Sequence, residues 1–427
     1  MRLPGRAGPL PAEPGRGVCR GNEIALLGAL CFFLSAVEYL IPKPLPFMRI
    51  GLANMPLLLA LNVLDAKGFF LLVSLKVLGQ ALIGGTFLSF VFPFSLAGTF
   101  ASASVMYVLG GLPGKKRLGF AGIGCAGAMV SNSVQLLLAR HMVFGEAVRY
   151  LAPPFLAAGF LAGIGLGMAC EYFSRRSLWY ASLAGNADAP PAASGRGPDM
   201  FSAKLSKAAG RIAAVPSARE ERRKKRSKKW DRLFGANLLF AAGLVMALVF
   251  LHDRSLPGHA ARFLFFCLLA FLSGKRIGLP TTAAFMAGIV FFNLLVPHGR
   301  VLFSVGPLAA TEGSLLVGLE RALTLAGLLM LSRACVRGGL RLPGAIGSLL
   351  AESLRTLELM REKKALLSGG SPVAGLDRML LELRAENASA PVEAAPREKP
   401  RRGAKGVFLL CAMAAFAFAI GFLPFGL

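Results

Sequence analysis

Long apolar runs separated by short polar breaks fill most of this chain. The runs are mostly ~17–25 residues long, the length a helix needs to cross ~30 Å of hydrocarbon at ~1.5 Å per residue. The first is Ile24–Ile41, closed by Pro42-Lys43-Pro44. Ile50–Leu64, Phe69–Gly84, Phe87–Leu109, Leu118–Met142 and Tyr150–Phe173 follow. After a polar gap the pattern resumes at Phe234–Leu251, Ala261–Ser273, Leu279–Pro297 and Gly313–Ser332, and a last run occupies Val407–Phe425. The pattern predicts an all-α polytopic membrane protein of ten or eleven spans, a six-helix bundle followed by a second helical membrane domain.

The breaks between runs divide the chain further. Residues 1–21 form a Pro/Gly/Arg-rich tail expected to be disordered, and 22–173 form the six-span domain. Residues 174–232 read as a basic cytoplasmic linker. Residues 233–367 read as the second membrane domain, ending in an amphipathic cytoplasmic helix. In that helix Ile346, Leu349, Leu350, Leu354, Leu357 and Met360 recur near a 3.6 period among Glu352, Arg355, Glu358 and Arg361. A polar Ala/Pro/Glu/Arg composition makes 368–405 an expected disordered linker, and 406–427 carries the closing transmembrane helix.

Charge orients this arrangement. Net charge is +26, yet only 16% of residues are charged, against 55% hydrophobic. Of the 48 Lys and Arg, 15 fall in Ser174–Arg232 and 14 in Arg333–Lys405, outside the apolar runs. Arg219–Lys229 alone holds eight basic residues in eleven. Few aromatics interleave with these cations and they border the spans, which excludes a nucleic-acid partner and fits attraction to anionic membrane lipid. With a cytoplasmic amino terminus, Lys115-Lys116-Arg117, Arg175-Arg176, Lys275-Arg276 and Arg333–Arg341 all fall on the inner side. The expected setting is therefore the plasma membrane, multi-pass, amino terminus inside. Seven cysteines without a CxxC pair, and four scattered histidines, indicate neither a disulfide frame nor a metal or haem site.

Polar residues at membrane depth are costly and therefore mark function or helix-to-helix hydrogen bonds. In the first half these are Glu38, Asn54, Lys76, Gln80, Ser131, Asn132, Ser133 and Gln135. Lys76 and Gln80, four apart, share a helical face, as do Asn132 and Gln135, three apart. They are candidates to line a polar cavity, or else to pair with one another, Lys76 with Glu38. Glu320 and Arg321 lie in an apolar run of the second half and face different directions. Gly159, Gly163 and Gly167 make two consecutive GxxxG steps, and Ala25 and Ala29 sit four apart; both sets suit close helix packing. The chain contains no GxxxxGK[ST] loop, DDxxD, HExxH or GxSxG, so it is not expected to hydrolyse ATP or act as an enzyme, and no cofactor is implied.

Taken in order, several of these motifs resemble a known family. Glu38 before Pro42-x-Pro44, Arg49-x-Gly51-Leu52-Ala53-Asn54, Gly85-Thr86-Phe87-Leu88-Ser89, Ser95-Leu96-x-Gly98, Gly122-x-Gly124-x-x-Gly127-Ala128 and Asn132-x-x-Gln135 resemble the Gx transporter family, also labelled heptaprenyl diphosphate synthase component I. The resemblance covers about Asn22–Phe173. It implies the six-helix fold of a substrate-binding S component of energy-coupling factor (ECF) transporters, with small residues on the first helix, here Ala25 and Ala29, touching a partner. The cost of polar groups at membrane depth makes Asn54, Lys76, Gln80, Asn132 and Gln135, with Glu38 and Arg49 near the outer mouth, the candidate ligand site. The resemblance supports Arg49, Asn54, Asn132 and Gln135 within it and implies a small-molecule ligand, with flavin- and quinone-related molecules as candidates. The second half resembles the ECF transmembrane coupling (T) component through Gly318-Leu319-x-x-Ala322-Leu323, Leu342-Pro343 and the amphipathic helix, which implies separate ATPase subunits as partners. It departs from that family in lacking an Ala-Arg-Gly coupling motif; Val336-Arg337-Gly338 is the nearest approach. Two other expectations stand beside transport: a noncatalytic membrane partner of a polyprenyl diphosphate synthase, and a membrane scaffold for a redox or electron-export assembly.

Overall fold

A computed structural model describes residues 16–40, 51–112, 118–184, 218–252, 255–275, 278–305, 308–337, 340, 344–363, 372–389 and 404–419. Arg49, residues 185–217 and residues 390–403 lie outside these residues. The chain is an all-α polytopic membrane protein, with one small hairpin of β1 (Val301–Val305) and β2 (Leu308–Thr311) in the loop before the last long span.

The first half is built from α1 (Arg16–Leu40), α2 (Met55–Ala60), α3 (Ala66–Gly84), α4 (Val91–Gly110), α5 (Phe120–Ala139), α6 (Val148–Arg176) and the short α7 (Leu178–Ala184). Local chemistry sets the ends of α3. Asp65 accepts the Gly68 N–H at its start, and Gly85, with φ of 61°, lets Thr86 N–H return to the Ala81 carbonyl at its end. Ile24 lies against Gly68 and Phe32 against Gly79, so α1 and α3 run parallel and the chain between them returns across the bundle.

That return was expected to be a full span, Ile50–Leu64. It is instead a 3-10 turn, Leu52–Asn54, followed by the six-residue α2. Gly51 at φ 84° and Pro56 in the first turn set its start, and Leu57, Leu58 and Leu59 are at most 1% exposed. The segment is apolar because it is core, not because it faces lipid.

Between α5 and α6 the chain turns through a π-helical stretch, Arg140–Phe144, and the two helices lie antiparallel. Gly167 meets Ala121, Gly163 meets Cys125 and Ala128, and Gly159 meets Asn132. A Cβ added at Gly167 would stand 2.3 Å from the Ala121 Cα, so only glycine permits this approach.

The second half comprises α8 (Ala218–Leu233), α9 (Ala236–His252), α10 (Leu256–Leu272), α11 (Leu279–Leu294), α12 (Glu312–Cys335), α13 (Gly344–Glu362), α14 (Pro372–Ser389) and α15 (Ala404–Ala419). The highly basic α8 meets α9 at 89°. Among the described residues, five stretches are long and apolar enough to cross a membrane, one of them, Phe120–Arg176, holding both α5 and α6. The bent α8–α9 pair brings this to six, and α10, α11 and α15 are apolar but shorter. Among the described residues, fewer than eleven stretches reach full span length.

Three further expectations are corrected. Residues 368–405 are not wholly disordered: Leu376, Met379, Leu380 and Leu383 repeat at helical spacing and bury one face of α14. At its start Asp377 accepts the Leu178 and Trp179 N–H groups and the Ser177 hydroxyl, capping α7 from another helix. The amphipathic α13 does not offer its apolar face to outside partners. Leu350, Ser353, Leu357 and Met360 are buried, Leu349 and Ser353 lie against Gly21 and Gly28 of α1, and Ala25 and Ala29 are themselves 0% exposed. Finally, the alternation read from Lys and Arg fails at the junction of the halves. Gly85, expected outside, packs on Arg333, expected inside, and Leu88 N–H donates to Ser332 Oγ at 2.9 Å. Ser332 is fully buried, so this end of α12 is interior packing rather than a membrane-surface loop.

Candidate functional site

The first-half bundle encloses a cavity of about 860 Å³, a size that suits a small-molecule ligand. Its wall gathers residues from six elements of the first half. Phe32, Phe33 and Glu38 come from α1, Asn54 from the turn before α2, and Lys76 and Gln80 from α3. Phe92, Ser95 and Thr99 come from α4, Ser131, Asn132 and Gln135 from α5, and Phe155, Gly159 and Gly163 from α6. The structure thus brings six of the seven ligand-site candidates to one cavity; the seventh, Arg49, lies outside the described residues.

The helices explain this convergence. On α3 the four-residue step points Lys76 and Gln80 to one side. On α5 Ser131, Asn132 and Gln135 occupy successive turns of one face, and Ser131 accepts from the Gln135 amide at 3.0 Å. The glycine ladder of α6 brings that face close: Asn132 Nδ2 donates to the Phe155 carbonyl at 3.2 Å, across the gap where Gly159 has no side chain. Lys76 and Glu38 are both buried, and the Lys76 ammonium donates to Asn54 Oδ1. Asn54 is thus one partner of Lys76 within the cavity wall. Phenylalanine rings and small residues fill the remaining wall, so the site combines an apolar body with directed hydrogen-bonding groups. Among the described residues no cluster of three or more His, Cys, Asp or Glu could hold a metal.

Sequence reading missed two residues of this site. Arg333 at the end of α12 and Arg361 near the end of α13 also line the cavity. They come from the second half, and nothing local in the chain ties them to residues some 250 positions earlier.

The polar residues of the second half are placed differently. Arg321 donates to Asn293 Oδ1 at 2.9 Å, and Asn293 in turn reaches the Val143 carbonyl. Arg262, 2% exposed, donates to the Ala417 carbonyl at 2.9 Å and ties α10 to α15. Arg337 donates to the Ser273 carbonyl at 2.8 Å and pairs with Asp231 at 3.4 Å. Burial pulls its guanidinium below its ordinary range, and burial with the neighbouring Arg337 charge does the same to Lys275.

Comparison with known families adds an independent finding. Residues 27–173 match the family described as heptaprenyl diphosphate synthase component I. The match covers about a third of the chain, and it contains every ligand-site candidate named above. Residues 236–338, from α9 to the end of α12, match a separate domain of unknown function. No curated protein and no solved structure matches the chain.

Proposed function

We propose that the first half is a solute-binding membrane module of the S-component kind, and that the chain serves as a subunit of an ECF-type transporter. The observation that carries this reading is the cavity: polar side chains from separate helices, each costly at membrane depth, converge on one partly apolar space of ligand size. The bound molecule is small and is carried rather than converted. Flavin- and quinone-related molecules are the candidate solutes, and the setting is the plasma membrane with the amino terminus inside. Power comes from separate ATPase chains. Because Arg337 and the apolar face of α13 are buried within the chain, those ATPases dock on other parts of the second half.

Equilibrium binding of riboflavin and of a short-chain menaquinone to the full chain in nanodiscs tests the reading. Asn132→Ala and Gln80→Ala should each weaken the bound solute by about 1–3 kcal/mol, the cost of removing one partner of a buried hydrogen bond. Wild-type affinity in both variants would place the site elsewhere.

The family match favours a second reading, in which the chain is a noncatalytic membrane partner of a polyprenyl diphosphate synthase. Affinity purification from mild detergent separates the two. Co-purifying ATPases support transport, and a co-purifying prenyl synthase supports the alternative.

A further inference from the structure

Charge is the one property of the cavity that the solute-binding reading leaves unused. Its described lining holds four ionisable side chains: Glu38, Lys76, Arg333 and Arg361. Three cations against one carboxylate give a net charge of +2, whichever of the three Glu38 faces. Lys76 is 4% exposed, whereas Arg333 is half-buried and Arg361 exposed, so the two guanidinium groups stand at the rim and the ammonium lies deeper. The rest of the wall combines phenylalanine, alanine and glycine with the uncharged polar groups of serine, threonine, asparagine and glutamine.

We propose that the ligand is a phosphate-bearing amphiphile, its apolar body in the first-half cavity and its phosphate at the rim against Arg333 and Arg361. This inference rests on the solute-binding reading and names the chemical class. A phosphate group carries a charge of about −1.5 to −2 near neutral pH, the complement of a +2 lining. The planar fork of arginine matches phosphate oxygens two at a time, which a lysine cannot do. Both arginines belong to the second half, so the site is complete only where the two halves meet. That gives the fusion a chemical reason: the second half supplies the head-group recognition, and a ligand spanning the junction couples the two bundles.

The test compares each phosphorylated molecule with its own alcohol, using the full chain in phosphatidylcholine nanodiscs at low salt. FMN is set against riboflavin, and farnesyl diphosphate against farnesol. One phosphorylated member should bind at least tenfold more tightly than its alcohol, which also tells a flavin from a prenyl source. Arg333→Gln and Arg361→Gln should each erode that preference by weakening the phosphorylated member at least fivefold more than the alcohol, and added salt should erode it in the wild type. Equal affinities within the bound pair, or a preference that survives both substitutions, would overturn the inference and leave the solute-binding reading intact. Binding of none of the four would overturn both.

Discussion

The two membrane halves carry similar polar residues and place them differently. In the first half Asn54, Lys76, Gln80, Asn132 and Gln135 point into a shared space and are half-buried or, for Lys76, buried at its wall. In the second half Asn293, Arg262 and Arg337 are 6%, 2% and 6% exposed, and each is bonded to a backbone carbonyl of another element. The cost of placing such groups in hydrocarbon is comparable in both. What differs is whether the hydrogen-bonding capacity is spent inside the fold or kept facing a cavity. The first arrangement joins helices, and the second leaves donors and acceptors lining a cavity.

The largest expected effect tests whether the first half depends on the close approach that shapes its cavity. Gly167→Leu must force α6 off the Ala121 backbone, costing about 3 kcal/mol, at the upper end for overpacking. Gly165→Leu, two residues along the same helix with nothing within 4 Å of its added Cβ, should be close to silent. Detergent melting curves of the two variants give the comparison. Equal melting temperatures would mean that the ladder does not hold α5 to α6.

An intermediate effect is expected in the second half. Arg262→Met should destabilise the protein by about 2 kcal/mol, because it deprives the Ala417 carbonyl of a buried donor, yet leave solute affinity unchanged. Loss of binding with unchanged melting would reverse the roles assigned to the halves.

The smallest effect concerns pH. Burial and the nearby Arg337 charge lower the Lys275 pKa in the folded chain. The unfolded chain therefore holds this proton more tightly, and the folded lysine costs stability at neutral pH. Stability should rise as pH climbs through the lowered folded value towards the ordinary lysine range. Lys275→Met should raise the melting temperature slightly at pH 7, and the gain should shrink as pH rises into the alkaline range. A gain that grows with pH would show the opposite sign of coupling.

Much of the first half was legible in the sequence, for physical reasons that hold locally. Helical spacing alone placed Lys76 beside Gln80 and Asn132 beside Gln135, and the four-residue glycine step marked a close helix contact. The errors arose where apolar character had two explanations. Leu57, Leu58 and Leu59 read as a lipid-facing span, yet they are apolar because they are enclosed by protein. The face of α14 formed by Leu376, Met379, Leu380 and Leu383 was present in the sequence but diluted by the polar residues around it. Arg333 and Arg361 were not legible at all, since their role depends on contacts between distant parts of the chain. The same limit kept the sequence from telling a cavity-facing Gln80 from a carbonyl-bonded Asn293.

Cysteine accessibility tests that distinction most directly. A small water-soluble methanethiosulfonate, scored above the background of the native cysteines, should label Gln80→Cys and Gln135→Cys readily in the folded protein. It should leave Asn293→Cys unlabelled until the protein is denatured. Protection of both first-half positions, together with rapid labelling of Asn293→Cys, would contradict the account.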